Sequence, residues 1–179
     1  MLRFLETERL VLRPLEPADA EGPYAQWLND AEVCRGNSHH VFPYTRQQGA
    51  DYIRQMAGSN QSIVLGIVWK ADSAHVGNIA LQNIQWLHRT AEFAILLGDS
   101  AYWQRGIGKE AGAALVRHGF ETLGLNRIYC GTFAGNHGMQ RLATALGMKQ
   151  EGVRREAVFK NGHYTDVLEY GVLRSEWQG

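Results

Sequence analysis

Leu97-Gly98-Asp99-Ser100-Ala101-Tyr102-Trp103-Gln104-Arg105-Gly106-Ile107-Gly108-Lys109-Glu110 is the stretch on which the fold turns. It carries an apolar strand into a helix through Gly106 and Gly108. Such a turn leaves backbone N–H groups unpaired at a helix N-terminus, where the aligned peptide dipoles favour negative charge, and phosphate is its natural occupant. Arg105 and Lys109 flank the glycines with positive charge, and the missing Cβ atoms of Gly106 and Gly108 let the backbone approach a pyrophosphate closely. Taken alone, the glycine pair serves a tight turn and close helix packing equally well. A Walker loop is excluded, because no Gly lies five residues before Gly108 and Glu110 stands where Ser or Thr is required. A dinucleotide-binding turn is excluded by Ala111 at its third glycine position.

Working outward, residues 91–97, 75–84 and 62–69 read as strands, and the short polar turn Lys70 to Ala74 makes the last two antiparallel. Beyond the loop, a helix over 108–123 has Ala111, Leu115, His118 and Leu123 near one face and Gly124 placed to stop it. A strand over 127–132, a helix over 136–146 closed by Gly147, and a strand over 149–159 follow. Asn161-Gly162 is the strongest two-residue hairpin signal and returns the chain into a strand over 163–173. At the other end, residues 8–14 alternate as a strand ended by Pro14 and Pro17. Helices are expected over 18–29, with Ala20, Tyr24, Trp27 and Leu28 on one face, and over 46–57, with Tyr52, Ile53 and Met56. The order predicts an α/β protein: a mixed, mostly antiparallel central sheet of about seven strands with helices on both faces.

The 179 residues, 45% of them hydrophobic, suffice for one well-buried core, so residues 1–179 are expected to form a single domain. Lys+Arg and Asp+Glu are both 18, so no global field draws nucleic acid or an anionic membrane, and any anion must be held locally. No apolar run is long enough to cross a bilayer and the first residues do not read as a secretion signal, which makes a cytoplasmic protein the expectation. Cys34 and Cys130 have no metal-ligand spacing and are expected as free thiols. His39, His40, His163 and Asp166 do not share a helical face, so no metal is expected.

The loop and its surroundings resemble the GCN5-related N-acetyltransferase (GNAT) superfamily. There the strand-to-helix turn reads [QR]-x-x-G-x-[GA]; Gly106 and Gly108 match its small positions, while Trp103 replaces the leading Gln or Arg. An aromatic-Trp pair before the loop is similar to the branch of ribosomal-protein alanine N-acetyltransferases of the RimJ/RimL type. So are Thr7 to Arg13, Trp27-Leu28-Asn29-Asp30, Asn136 with Leu146-Gly147-Met148, and the closing run Lys160 to Tyr170. The resemblance spans nearly the whole chain. It implies the acyl-coenzyme A N-acyltransferase fold, with acetyl-CoA as co-substrate. The backbone of Gln104, Arg105, Gly106, Ile107, Gly108 and Lys109 would hold the pyrophosphate. Ile95, Leu96 and Leu97 would bond the pantetheine amides through their main chain, which requires this strand to splay from 127–132. Asn136 would bond the cofactor arm, and Arg141 would approach its nucleotide end.

Acetylating an amine requires a neutral nucleophile, so a base near the splay is needed. Glu92, which matches an acidic position of the branch, is the candidate; its alternative is a structural pairing with Arg89 or a lysine at the strand end. The tyrosine that many relatives place in the late helix as general acid is Ala143 here, and the serine of others is Met139. Tyr129, Cys130 and Thr144 remain as donors, each also readable as packing. Trp27, Asn29, Asp30, Arg35 and Asp166 fall where the branch meets its acceptor. That acceptor is expected among protein N-termini, nucleotide-linked amino sugars and small amines, in that order, by direct attack in a ternary complex. The alternative is a non-catalytic acyl-CoA sensor. An exposed hairpin edge would suit a homodimer.

Overall fold

The computed structural model describes residues 2–179, so residue 1 of the expected 1–179 unit lies outside the described residues. Among the described residues eight strands form one sheet: β1 (Leu5–Glu6), β2 (Leu10–Pro14), β3 (Ile63–Trp69), β4 (Ala74–Gln85), β5 (Thr90–Leu97), β6 (Arg127–Phe133), β7 (Lys149–Lys160) and β8 (His163–Leu173). The eighth is β1, a two-residue strand that the turn through Thr7 folds back onto β2. Its shortness hides it from a period-two reading. The spatial order is β1-β2-β3-β4-β5-β6-β8-β7, and every neighbouring pair is antiparallel except β5 with β6. At the terminal hairpin Asn161 and Gly162 both take positive φ, 51° and 82°, as a type I′ turn requires.

Among the described residues four α-helices cover the sheet: α1 (Tyr24–Leu28), α2 (Arg46–Ala57), α3 (Ile107–Glu121) and α4 (His137–Ala145). The helix expected over 18–29 is interrupted. A 3-10 turn spans Pro17–Ala20, and α1 begins only after Pro23, whose ring cannot continue a helix from the preceding turn. Helix α3 buries Ile107, Ala111, Leu115, Val116 and Phe120 against Leu10, Leu12, Leu81, Phe93 and Ile128 of the sheet. Removing each such large side chain from water contributes about 1.5–3 kcal/mol. On the opposite face Ala20, Tyr24, Trp27, Leu28 and Ile53 form a second cluster with Leu96. Helices therefore lie on both faces. None is long and apolar enough to cross a membrane.

A buried ion pair anchors the second cluster. Arg13 grips Asp19 through two hydrogen bonds of 2.7 and 2.6 Å, the Glu16 N–H adds a third at 2.7 Å, and His75 lies 3.4 Å away. Burial alone would raise the Asp19 pKa, but Arg13, His75 and that amide hold it far below the usual carboxylate range.

Candidate active site

The parallel pairing of β5 with β6 lasts for three residue pairs, Thr90 with Arg127, Ala91 with Ile128 and Glu92 with Tyr129. Past Glu92 the two strands part: Phe93 to Leu97 ladder only with β4, and Cys130 to Phe133 only with β8. The N–H of Gly98 bonds the carbonyl of Val76 at 3.0 Å, which sets the phase of the β4–β5 ladder. Ala94 and Leu96 turn their main-chain groups to Ala80 and Asn78, whereas Phe93, Ile95 and Leu97 turn theirs into the opening. The free edge from Phe93 to Leu97 is about 13 Å long at strand rise. Leu96 is thus spent inside the ladder, and its side chain joins the second cluster. Of the three residues expected to present main chain to a pantetheine arm, Ile95 and Leu97 turn theirs to the free edge and Leu96 does not.

The opening leads from the 97–110 loop. Trp103 donates from Nε1 to the Leu97 carbonyl at 2.8 Å, pinning the loop to the end of β5 in place of the expected Gln or Arg. Gln104 and Gly106 take positive φ, 60° and 75°, and Gly106 caps α3. The amides of Gln104, Arg105, Gly106, Ile107, Gly108 and Lys109 donate to no backbone carbonyl among the described residues. Six successive free donors thus lead into the start of a 15-residue helix, where the peptide dipoles favour an anion. Arg105 and Lys109 are exposed beside it; Ile107 is buried, so only its amide contributes.

Glu110, which ruled out a Walker loop, holds this loop in place. Its carboxylate accepts from Thr7 Oγ1 at 2.5 Å, the Arg9 N–H at 2.9 Å and Arg9 Nε at 2.7 Å, while Arg9 Nη1 donates to the Arg105 carbonyl at 3.0 Å. Burial opposes the charge on Glu110, but the Thr7 and Arg9 hydrogen bonds outweigh it and lower its pKa. Sequence reading missed this tie, because its partners lie a hundred residues away.

At the apex Glu92 shares a sheet face with Tyr129 and Glu169, the face covered by α1 and α2. Its Oε2 accepts from Asn83 Nδ2 at 2.6 Å and Gln82 Nε2 at 3.3 Å. A register irregularity in β4 between Gln82 and Gln85, with Asn83 at φ 52°, delivers that amide. Glu92 therefore does not pair with Arg89. Tyr129 is half-buried beside it, with the Arg127 guanidinium 5.8 Å from its ring centre. Burial and the nearby Glu92 raise the Tyr129 pKa. Cys130 faces the opposite side and packs on Met148, and burial pushes its pKa up to about 12, which keeps the thiol protonated and unreactive as a nucleophile. Thr144 is exposed and bonds the Gln140 carbonyl on its own helix at 3.1 Å.

Several expected site residues make structural contacts. Trp27 is only 6% exposed and belongs to the second cluster. Its ring lies over Gly98, where an added Cβ would come within 1.9 Å of it, and meets His75 edge-on at 5.1 Å, so it does not line an acceptor surface. Asn29 bonds the Ala25 carbonyl at 2.8 Å and both main-chain groups of Tyr44, at 2.6 and 2.8 Å, closing the connection to α2. Asp30 accepts the amides of Glu32 and Val33 at 2.8 and 3.0 Å. Asp166 accepts the Glu156 N–H at 2.8 Å, bracing an irregular stretch of β7. Arg35 and Arg141 are exposed. Asn136 caps α4 through Met139 N at 3.1 Å and donates to the Gly36 carbonyl at 3.1 Å, fastening the loop after α1 across the end of the opening. One polar group was not foreseen: Thr132, on β6 past the parting, is 4% exposed and its Oγ1 has no hydrogen-bond partner. No cluster of metal-ligating side chains occurs among the described residues.

Unpaired loop amides at a helix start, a parted pair of parallel strands and a carboxylate at the point of parting thus lie next to one another. A family model described as the acetyltransferase (GNAT) domain matches residues 9–149. The chain is 30% identical to the uncharacterized N-acetyltransferase YoaA of Bacillus subtilis over 97% of its own length and 98% of that protein's. It is 29% identical to the putative ribosomal N-acetyltransferase YdaF of the same organism, over 96% and 95%. The spermidine N-acetyltransferase of Vibrio cholerae, solved with CoA and spermine, superposes with a TM-score of 0.85 at 22% identity, covering 95% of this chain and 98% of that one. The chain belongs to the GNAT acetyltransferase family and is an N-acetyltransferase, transferring acetyl to an amine.

Proposed function

We propose that residues 1–179 act as one transferase domain of the RimJ/RimL-like branch, moving acetyl from acetyl-CoA to a primary amine by direct attack. The observation that carries this reading is the parting of β5 from β6 directly beside six unpaired loop amides. Those amides neutralise the pyrophosphate, and the main-chain groups of Phe93, Ile95 and Leu97 orient the arm so that its thioester reaches the Glu92 apex. Acetyl-CoA supplies the activated acyl group. The amine enters from the face of α1 and α2, where Glu92 and Glu169 lie. Glu92, with Oε2 held by two side-chain amides, keeps Oε1 for the proton of the incoming ammonium. Holding amine and thioester together supplies most of the acceleration.

The acceptor belongs to the protein N-termini or the small cationic amines; relatives named for ribosomal protein and for spermidine support both. The outer edge of β7, with exposed Val153 and Phe159, is where two copies would pair. Thiol release measured against peptides with free N-termini, polyamines and nucleotide-linked amino sugars tests the activity. Turnover on at least one supports it; CoA binding without turnover on any would make the chain a sensor. Glu92→Gln is expected to lower kcat/KM at least tenfold with CoA affinity intact. A loss below about threefold at every pH refutes the base assignment.

A further inference from the structure

Tyr129 occupies the last rung before β5 and β6 part, directly opposite Glu92. The two side chains leave the sheet on one face, the face from which the amine enters. Asn83 and Gln82 hold the Glu92 carboxylate from the β4 side. On β6 the Arg127 guanidinium lies 5.8 Å from the centre of the Tyr129 ring, and Glu151 fixes it through two hydrogen bonds, one of them 2.6 Å from Nη1 to Oε1. The ring is therefore backed on the side away from the opening. Two residues further along β6, on the same face, stands Gly131, which is exposed in mid-strand. A Cβ there would meet Val167 Cγ1 at 3.2 Å and the Glu169 carboxylate at 3.4 and 3.5 Å. A glycine inside a strand gives up packing and is one way a sheet leaves room for another molecule against its backbone. The point of parting thus has a carboxylate on one strand, a phenol on the other, and bare main chain leading up to the phenol.

We propose that the Tyr129 hydroxyl oxygen accepts the second N–H of the attacking amine and thereby makes the chain selective for primary over secondary amines. The inference rests on the acetyl-CoA reading above. An ammonium that gives one proton to Glu92 becomes a neutral primary amine with two N–H bonds and one lone pair. Attack needs that lone pair aimed at the thioester carbonyl carbon. Two acceptors, Glu92 and the phenol oxygen, fix both N–H bonds and so fix the lone pair. The N–C bond then forms and the C–S bond breaks with its electron pair on sulfur. The nitrogen's remaining surplus proton passes through water to the thiolate, and Glu92 returns its own to solvent. Tyr129 keeps its proton throughout. Burial, Glu92 and Glu169 raise its pKa against the opposing Arg127, so the group stays a phenol and does not compete with Glu92 as base. An N-methyl amine brings a single N–H, which Glu92 takes, and sets a methyl group against the phenol oxygen.

The test pairs Tyr129→Phe, which keeps the ring and its contact with Arg127, with two acceptors: the best one from the panel of peptides, polyamines and amino sugars above, and the same molecule N-methylated at the acetylated nitrogen. Wild type is expected to favour the primary amine about tenfold in kcat/KM, the contribution of one neutral hydrogen bond. Tyr129→Phe should lose about tenfold on the primary amine and less than about threefold on the N-methyl one, so that the preference collapses. KM for acetyl-CoA should stay within about twofold, and the pH profile should keep its shape because Glu92 is untouched. Equal losses on the two amines, or a loss below about threefold on the primary one, overturn the proposal. So does a profile that loses a limb, which would make Tyr129 a proton carrier, or a fall in Tm matched by weaker acetyl-CoA binding, which would make its role structural. Calorimetry and turnover separate this failure from that of the reading beneath it. A wild-type chain that binds no CoA or acetylates no amine refutes the reading, whereas one that acetylates both amines alike refutes only the role of Tyr129.

Discussion

Replacing Glu110 by Gln tests how the phosphate cradle is held. The carboxylate takes three hydrogen bonds, two of them from Arg9, and Arg9 in turn reaches the Arg105 carbonyl inside the loop. Hydrogen bonds to a charged partner contribute about 1.5–3 kcal/mol each when shielded, but they are not additive here. The Arg9 side chain is 41% exposed and that of Glu110 is 18% exposed, so solvent screens part of the attraction. The amide can keep the Thr7 and Arg9 N–H contacts while turning a donor toward the guanidinium. Together these give a loss of about 2 kcal/mol, or a Tm lowered by about 4–8 °C in a chain of this size. Urea unfolding followed by tryptophan fluorescence measures the first quantity. A cycle with Arg9→Met isolates the coupling, expected near 1 kcal/mol. The KM for acetyl-CoA should rise at least fivefold, since the loop loses its tie to β2. A Tm within 1 °C of wild type together with an unchanged KM would refute the argument that this contact positions the cradle.

Gly106→Ala has space, its nearest neighbour being an Arg9 nitrogen at 3.4 Å, but φ of 75° costs a side chain about 1–2 kcal/mol, so weaker CoA binding by calorimetry and a lower Tm are expected together. Asp19→Asn leaves Arg13 buried without its counter-charge and should cost about 3–5 kcal/mol by urea titration. The Asp19 carboxyl is depressed in the folded chain, so its contribution is present above the unfolded carboxylate pKa of about 4 and is lost as pH falls below it; acid unfolding of wild type, compared with Asp19→Asn, reads this directly. Cys130 should resist a disulfide-exchange reagent at neutral pH until the chain unfolds, because burial keeps it a thiol.

What was legible in the sequence depended on short-range physics. The loop, α3, the Asn161-Gly162 hairpin and the order of elements follow from period, glycine placement and turn chemistry within a few residues. The break at Pro23 was equally local and was overridden by the apolar spacing of Tyr24, Trp27 and Leu28, which belongs to two short elements sharing one buried cluster. The assignment of Trp27, Asn29 and Asp30 to the acceptor came from resemblance, and their contacts with Gly98, Tyr44 and Val33 depend on how loops fold back. Glu110 with Arg9, and Glu92 with Asn83, meet only when the sheet assembles.

The three-pair contact between β5 and β6 leaves a gap framed by peptide groups, and peptide groups are the same whatever side chains the strands carry. Mutation can rework the outer loops and the terminal hairpin without disturbing that gap. A relative at 30% identity over nearly the full length can therefore share the reaction while greeting a different amine.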